Sequence, residues 1–206
     1  MINIFSDAAC RNFGGIKEVN SYFVGSGLTY NLSSKDSCYL ILESINKIDY
    51  TNSDNYLFFG EYDIRISLGM GNLPHTNRNM KFGNIKGRIN KIISNYEYLI
   101  NSLPSDFKII SPITSFPLMI TPIEYFTNKL MTKYGSRFID IFSPTIDSGF
   151  SRTIRSVKNE YKSEYYSNNP YICNTENISK LLCDKLNIEF ESEVKGNMQF
   201  GTIYIQ

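Results

Sequence analysis

Tryptophan is absent from this 206-residue chain, histidine occurs once, and no two of its four cysteines form a C-x-x-C pair. The single His75 excludes a His-rich metal centre. The wide spacing of Cys10, Cys38, Cys173 and Cys183 suits reduced, buried thiols better than a zinc site or a disulfide framework. No stretch approaches the ~20 apolar residues that span a bilayer. Met1 to Asp7 lacks the basic start and apolar run of a signal peptide, so the expectation is an intracellular, cytoplasmic protein with no membrane partner. Charge of one sign is missing as well. With 21 Lys and Arg against 20 Asp and Glu the net charge is +1, which provides no field for strong nonspecific nucleic-acid binding. There is no G-x-S-x-G elbow, no G-x-G-x-x-G and no Walker lysine motif. Gly25-Ser26-Gly27 and Gly69-Met70-Gly71-Asn72 therefore read as turns.

What is present is apolar and aromatic. Hydrophobic residues make up 42% of the chain, and 15 Tyr and 14 Phe fill the role that Trp would share, so a single domain over 1–206 has enough material for a core. The only candidate sub-boundary is the proline-punctuated stretch 104–121. Ile2, Ile4 and Phe5 read as a first strand, Gly14-Gly15 as a turn, and Ser21 to Val24 as a second strand, together a hairpin or meander. Cys38, Ile41, Ile45 and Ile48 recur at helical spacing. Tyr56 to Phe59 and the alternating Ile64 to Leu68 read as two further strands.

Between Asn84 and Leu103 the apolar residues Ile85, Ile89, Ile92, Tyr96, Leu99 and Leu103 step by three and four, which predicts a long helix ending before Pro104. Phe107 to Ile110 is strand-like. Thr121-Pro122-Ile123-Glu124 reads as a capping box opening a helix that Gly135 stops. Helical spacing recurs over Ile154 to Tyr165 and again from Thr175 to Leu186. A hairpin around Lys195-Gly196-Asn197 closes the chain. The fold class expected is α+β: an N-terminal antiparallel or mixed sheet with packed helices, then a helix-rich C-terminal half closed by the β-hairpin.

The run Ile4-Phe5-Ser6-Asp7-Ala8-Ala9, continuing to Gly14-Gly15, resembles the opening of the RNase H family, whose first strand ends in an aspartate before a glycine-containing turn and a second strand. The resemblance covers the first 45 residues. It implies a Mg²⁺-dependent nuclease with Asp7 as a metal ligand and Asp36 or Glu43 as the next. Glu61 or Asp63, then Asp140 or Asp147, are candidates for the later acidic positions. Helices before a terminal hairpin also suit a winged-helix DNA-binding domain, but acidic and basic residues balance beyond Asp147, and Arg152, Arg155 and Lys158 read as a solvated helix face. His75 reads as a loop histidine.

Tyr161, Tyr165, Tyr166 and Tyr171 are interface candidates, because Tyr brings large contact area at low entropic cost. No convergent catalytic set is legible. The leading expectation is accordingly a non-enzymatic interaction or assembly protein that binds a protein partner or itself, for example a component of a virus or phage particle. A small inhibitor of a host or rival factor is a third reading. Neither requires a metal or cofactor; Mg²⁺ enters only with the nuclease alternative.

Overall fold

Ile2-Asn3-Ile4-Phe5-Ser6 is buried at every position, as a strand is when both faces of its sheet are covered. In the computed structural model, which describes residues 1–7, 13, 16–24, 35–67, 85–114, 119–146 and 175–191, this segment is β1 at the interior of a five-stranded sheet. The other strands are β2 (Val19–Phe23), β3 (Asp54–Phe58), β4 (Lys108–Ile110) and β5 (Phe138–Ile139), in the order β2-β1-β3-β4-β5. Every pairing is parallel, with Ile2 opposite both Val19 and Asp54.

The antiparallel or mixed sheet expected from the sequence is therefore wrong, and the fold is α/β. Because β1 and β2 run in parallel, they do not form the hairpin expected around Gly14-Gly15. Between the two strands, Phe13 and Ile16 are buried against the sheet.

Among the described residues, five α-helices flank the sheet: α1 (Lys35–Asn46), α2 (Glu61–Ser67), α3 (Ile85–Asn101), α4 (Ile120–Tyr134) and α5 (Thr175–Leu186). Strand alternation divides the core in two. Phe5, Leu57 and Ile109 face α1 to α4, whereas Ile4, Phe58 and Ile110 face Phe13, Ile16 and α5. Phe5 stacks on Tyr22 at 5.3 Å between ring centroids and meets Phe107 at 5.7 Å. Each such contact adds about 1 kcal/mol beyond simple burial.

Register is fixed by polar groups as well. Asn20 donates to Asn3 and Asn3 to Asn55 across adjacent strands, at 3.2 and 3.0 Å, while Asn55 donates to the Tyr50 and Ser53 carbonyls. A one-residue slip would leave these buried amides without partners.

Two local expectations also change. Ile64 to Leu68 was expected to be a strand, but Glu61–Ser67 is helical, with the Ile64 amide donating to the Gly60 carbonyl and the consecutive Asp63 and Ile64 both buried. Thr121 is not an N-cap. Its helix starts at Ile120 after Met119, which makes no side-chain cap bond, and Pro122 occupies the first turn, where its missing N–H has no helical partner to lose. Gly135 ends that helix as expected, at φ +51°. The segments 154–165 and 195–204, expected to be a helix and a hairpin, lie outside the described residues. No helix among the described residues is long and apolar enough to cross a membrane.

Gly60 makes the turn out of β3 at φ +118°, and a Cβ there would stand 2.8 Å from the Phe126 ring. Gly60→Ala is expected to cost about 3 kcal/mol from strain and overpacking together. Gly87, on α3 with nothing near its Cβ position, is the control: Gly87→Ala should gain about 0.5–1 kcal/mol. Urea unfolding of both variants measures this, and equal stability for Gly60→Ala would contradict the packing described.

Candidate functional site

A parallel sheet in the order 2-1-3-4-5 opens a crevice where neighbouring strands send their connections to opposite faces. Here that point lies beyond the C-terminal ends of β1 and β3. After β1 the chain passes to the face of Phe13 and Ile16; after β3 it passes to the face of α2 and α3. The two strand ends are tied together, since the Ser6 hydroxyl donates to the Phe58 carbonyl at 2.5 Å. The Val24 amide donates to the Ser6 carbonyl at 3.0 Å and adds β2 to the same rim.

Asp7 follows immediately and is 2% exposed. Across from it, Gly60 turns the chain so sharply that α2 begins at once with Glu61, and Asp63 in the same turn is buried. Glu61 is held by Arg65, whose Nε lies 3.1 Å from Oε1 and 3.4 Å from Oε2. The Arg65 guanidinium sits 4.9 Å above the Tyr62 ring. Both partners of this ion pair are only 16% exposed, unlike the solvated i,i+4 pairs of α1 and α5.

Burial raises the Glu61 carboxyl to about 7, the negative charge of Asp7 adds to the rise, and Arg65 opposes it. Tyr96 of α3 completes the group. Its ring stacks on Phe126 at 6.0 Å and meets Phe59 edge-on at the same distance. Its phenol is driven well above the usual range by burial first, with Asp7, Tyr134 and Asp63 adding to the rise and the Phe59 backbone amide offsetting part of it. Asp7, Glu61, Asp63 and Tyr96 thus share one electrostatic environment at the crevice.

Of the other acidic candidates, Glu43 and Asp140 are engaged elsewhere. Glu43 is exposed on α1 and pairs with Lys47 at 3.4 Å. Asp36 lies in the first turn of α1, and its side chain is outside the described residues. Asp140, just beyond β5, accepts from the Phe142 and Ser143 amides and from the Ser111 hydroxyl, which makes it the organiser of the turn at Ser143–Thr145. His75, Asp147, Tyr161, Tyr165, Tyr166 and Tyr171 lie outside the described residues.

The parallel pairing of β1 and β2 also removes the hairpin on which the RNase H reading rested. Among the described residues, no group of three or more His, Cys, Asp or Glu is arranged to hold a metal ion. Sequence reasoning missed Tyr96 as a polar participant because its helical spacing marks it as core, which it also is. Compared with known proteins, the chain matches no family model, no curated protein and no solved structure.

The raised Glu61 carboxyl has a measurable consequence for stability. Between about pH 4.5 and 7 the folded chain keeps a proton that the unfolded chain has released. This group therefore favours folding most at low pH, and its contribution declines as pH rises to 7, by up to about 3 kcal/mol. Glu61→Gln should remove that part of the slope. Urea midpoints at pH 4.5, 6 and 7.5 for both proteins test it, and parallel pH profiles would refute the shift.

Proposed function

We propose that this chain is an enzyme that acts on a small polar substrate by acid–base catalysis at the β1/β3 crevice, with Glu61 as the proton-transferring group. The observation that carries this reading is the meeting of Asp7, from the end of β1, with Glu61, from the turn after β3, at the point where parallel sheets of this order take their ligands. A carboxyl that titrates near 7 is half protonated at neutral pH and serves as acid or base in turn. Burial keeps that proton on Glu61, and the charge of Asp7 adds to the effect. Arg65 holds the carboxylate in one orientation and limits how far its proton affinity rises.

Burying several acidic groups together costs stability, and apolar residues of the same size would pack there without that cost. The acidic surroundings favour substrates that are neutral or cationic over free phosphates. The assembly role expected from the sequence rested on finding no convergent polar residues, and Asp7, Glu61, Asp63 and Tyr96 now form such a set. The nuclease alternative needs Asp7 and Asp63 to engage Mg²⁺ and is kept as an outcome of the same experiment.

Hydrolysis of p-nitrophenyl esters, p-nitrophenyl glycosides and bis-p-nitrophenyl phosphate, with and without Mn²⁺, is the direct test. The expected result is turnover of at least one neutral substrate with an apparent pKa near 7. In Glu61→Gln it should fall by about 10²–10⁴-fold. Turnover of the phosphodiester only with Mn²⁺, and lost in Asp7→Asn, would favour the nuclease. Absence of turnover on every substrate, or activity unchanged in Glu61→Gln, counts against the catalytic reading.

A further inference from the structure

One turn of α2 holds two contacts that stand apart from their counterparts elsewhere. The Arg65 guanidinium carbon lies 4.9 Å from the centroid of the Tyr62 ring, the closest cation–ring contact among the described residues, where the others run from 5.4 to 6.0 Å. The ion pair of Arg65 with Glu61 is also the most sheltered among them. Both of its side chains are 16% exposed, whereas each of the other pairs contains a lysine at least 38% exposed. Helical spacing brings the two contacts together, because a side chain at one position meets those three and four residues before it. Arg65 therefore reaches both Tyr62 and Glu61. The carboxylate takes only the Nε edge of the guanidinium, at 3.1 Å to Oε1 and 3.4 Å to Oε2. A contact through one nitrogen restrains the guanidinium less than a two-nitrogen fork would, and a long arginine side chain has much rotational freedom to lose. The Tyr62 ring supplies the missing restraint.

We propose that Tyr62 is a positioning residue: its ring seats the Arg65 guanidinium so that the Nε edge stays on Glu61 and the carboxyl keeps one orientation. The proposal rests on the reading of Glu61 as the proton-transferring group and adds what holds that group in place. Tyr62 acts only through Arg65. Orientation is worth holding, because a misplacement of about 1 Å in a reacting group costs on the order of 10²-fold in rate. The attraction comes from the face of the ring and owes nothing to the hydroxyl. Phenylalanine should therefore serve in place of Tyr62, and an aliphatic side chain should not.

Exchange of the Arg65 Nε proton with water, followed by NMR in the ¹⁵N-labelled chain near neutral pH, reports the seating directly. It should be unchanged in Tyr62→Phe and faster by about tenfold in Tyr62→Leu. The Glu61 titration is the second readout, and its direction separates positioning from simple covering. Arg65 opposes the rise that burial causes, so loosening it moves the midpoint upward from about 7, whereas opening the site to water moves it downward. A role confined to the stability of α2 would lower the melting temperature of Tyr62→Leu and move neither signal. Should Tyr62→Leu not fold, the native chain still decides: the Arg65 side-chain protons are expected upfield of their usual positions because of the ring, and ordinary shifts would overturn the proposal. So would Nε exchange unchanged in Tyr62→Leu, equal acceleration in Tyr62→Phe, or a Glu61 midpoint that stays or falls in Tyr62→Leu. None of these readouts requires turnover. Absence of activity with Arg65 seated as described would count against the acid–base reading alone, and activity lost in Glu61→Gln with Nε exchange indifferent to Tyr62 would count against this proposal alone.

Discussion

The central constraint is the position of β1 between β2 and β3 in a sheet whose strands all run the same way. A strand flanked by parallel neighbours on both sides can be reached only by crossovers, and the crossovers to its two sides lie on opposite faces. Everything at the candidate site follows from that divergence. It buries β1 on both faces, and it brings the first residues after β1 and β3, Asp7 and the Gly60–Asp63 turn, to the same edge of the sheet. The asparagine ladder Asn20-Asn3-Asn55 locks the register at the opposite end of the same three strands, which fixes how far each strand extends at that edge.

Within that frame, the electrostatics are a compromise between burial and partnership. Desolvation is the larger effect on Glu61, and the nearby Asp7 works in the same direction. Arg65 recovers part of the cost with an ion pair more sheltered than the surface pairs elsewhere. Removing Arg65 alone would leave a buried carboxylate without its cation, a more damaging change than neutralising the carboxylate itself. Gly60 is the backbone counterpart of this compromise. Its positive φ and close approach to Phe126 allow α2 to start within one residue of the turn, and so bring Glu61 back toward the strand ends.

Much of the secondary structure was legible, and the topology was not. The three- and four-residue steps of α3 and the spacing in α1 and α5 reflect one buried face each, a property local to the sequence. Strand direction has no such local signature, and Gly14-Gly15 imitated a hairpin turn. A clue lay in the unbroken apolar run Tyr56-Leu57-Phe58-Phe59, which reflects burial on both faces and so favours a parallel interior strand over an alternating one. Ile64 and Ile66 alternated like a strand because a short helix has too few turns to reveal its period. Asp7 stood out as a strand-ending aspartate. Its meeting with Glu61 depends on strand order, and Tyr96 was hidden by being part of the core as well as of the site.

The most direct test of this account is a ¹³C NMR titration of the Glu61 side-chain carboxyl in the native chain and in Asp7→Asn. The account predicts a midpoint of about 7 in the native chain and a lower one in the variant, because burial remains while the charge from the end of β1 is gone. A midpoint near the ordinary glutamate value of 4.5, or one that Asp7→Asn leaves unchanged, would mean that the two strand ends do not form a common site.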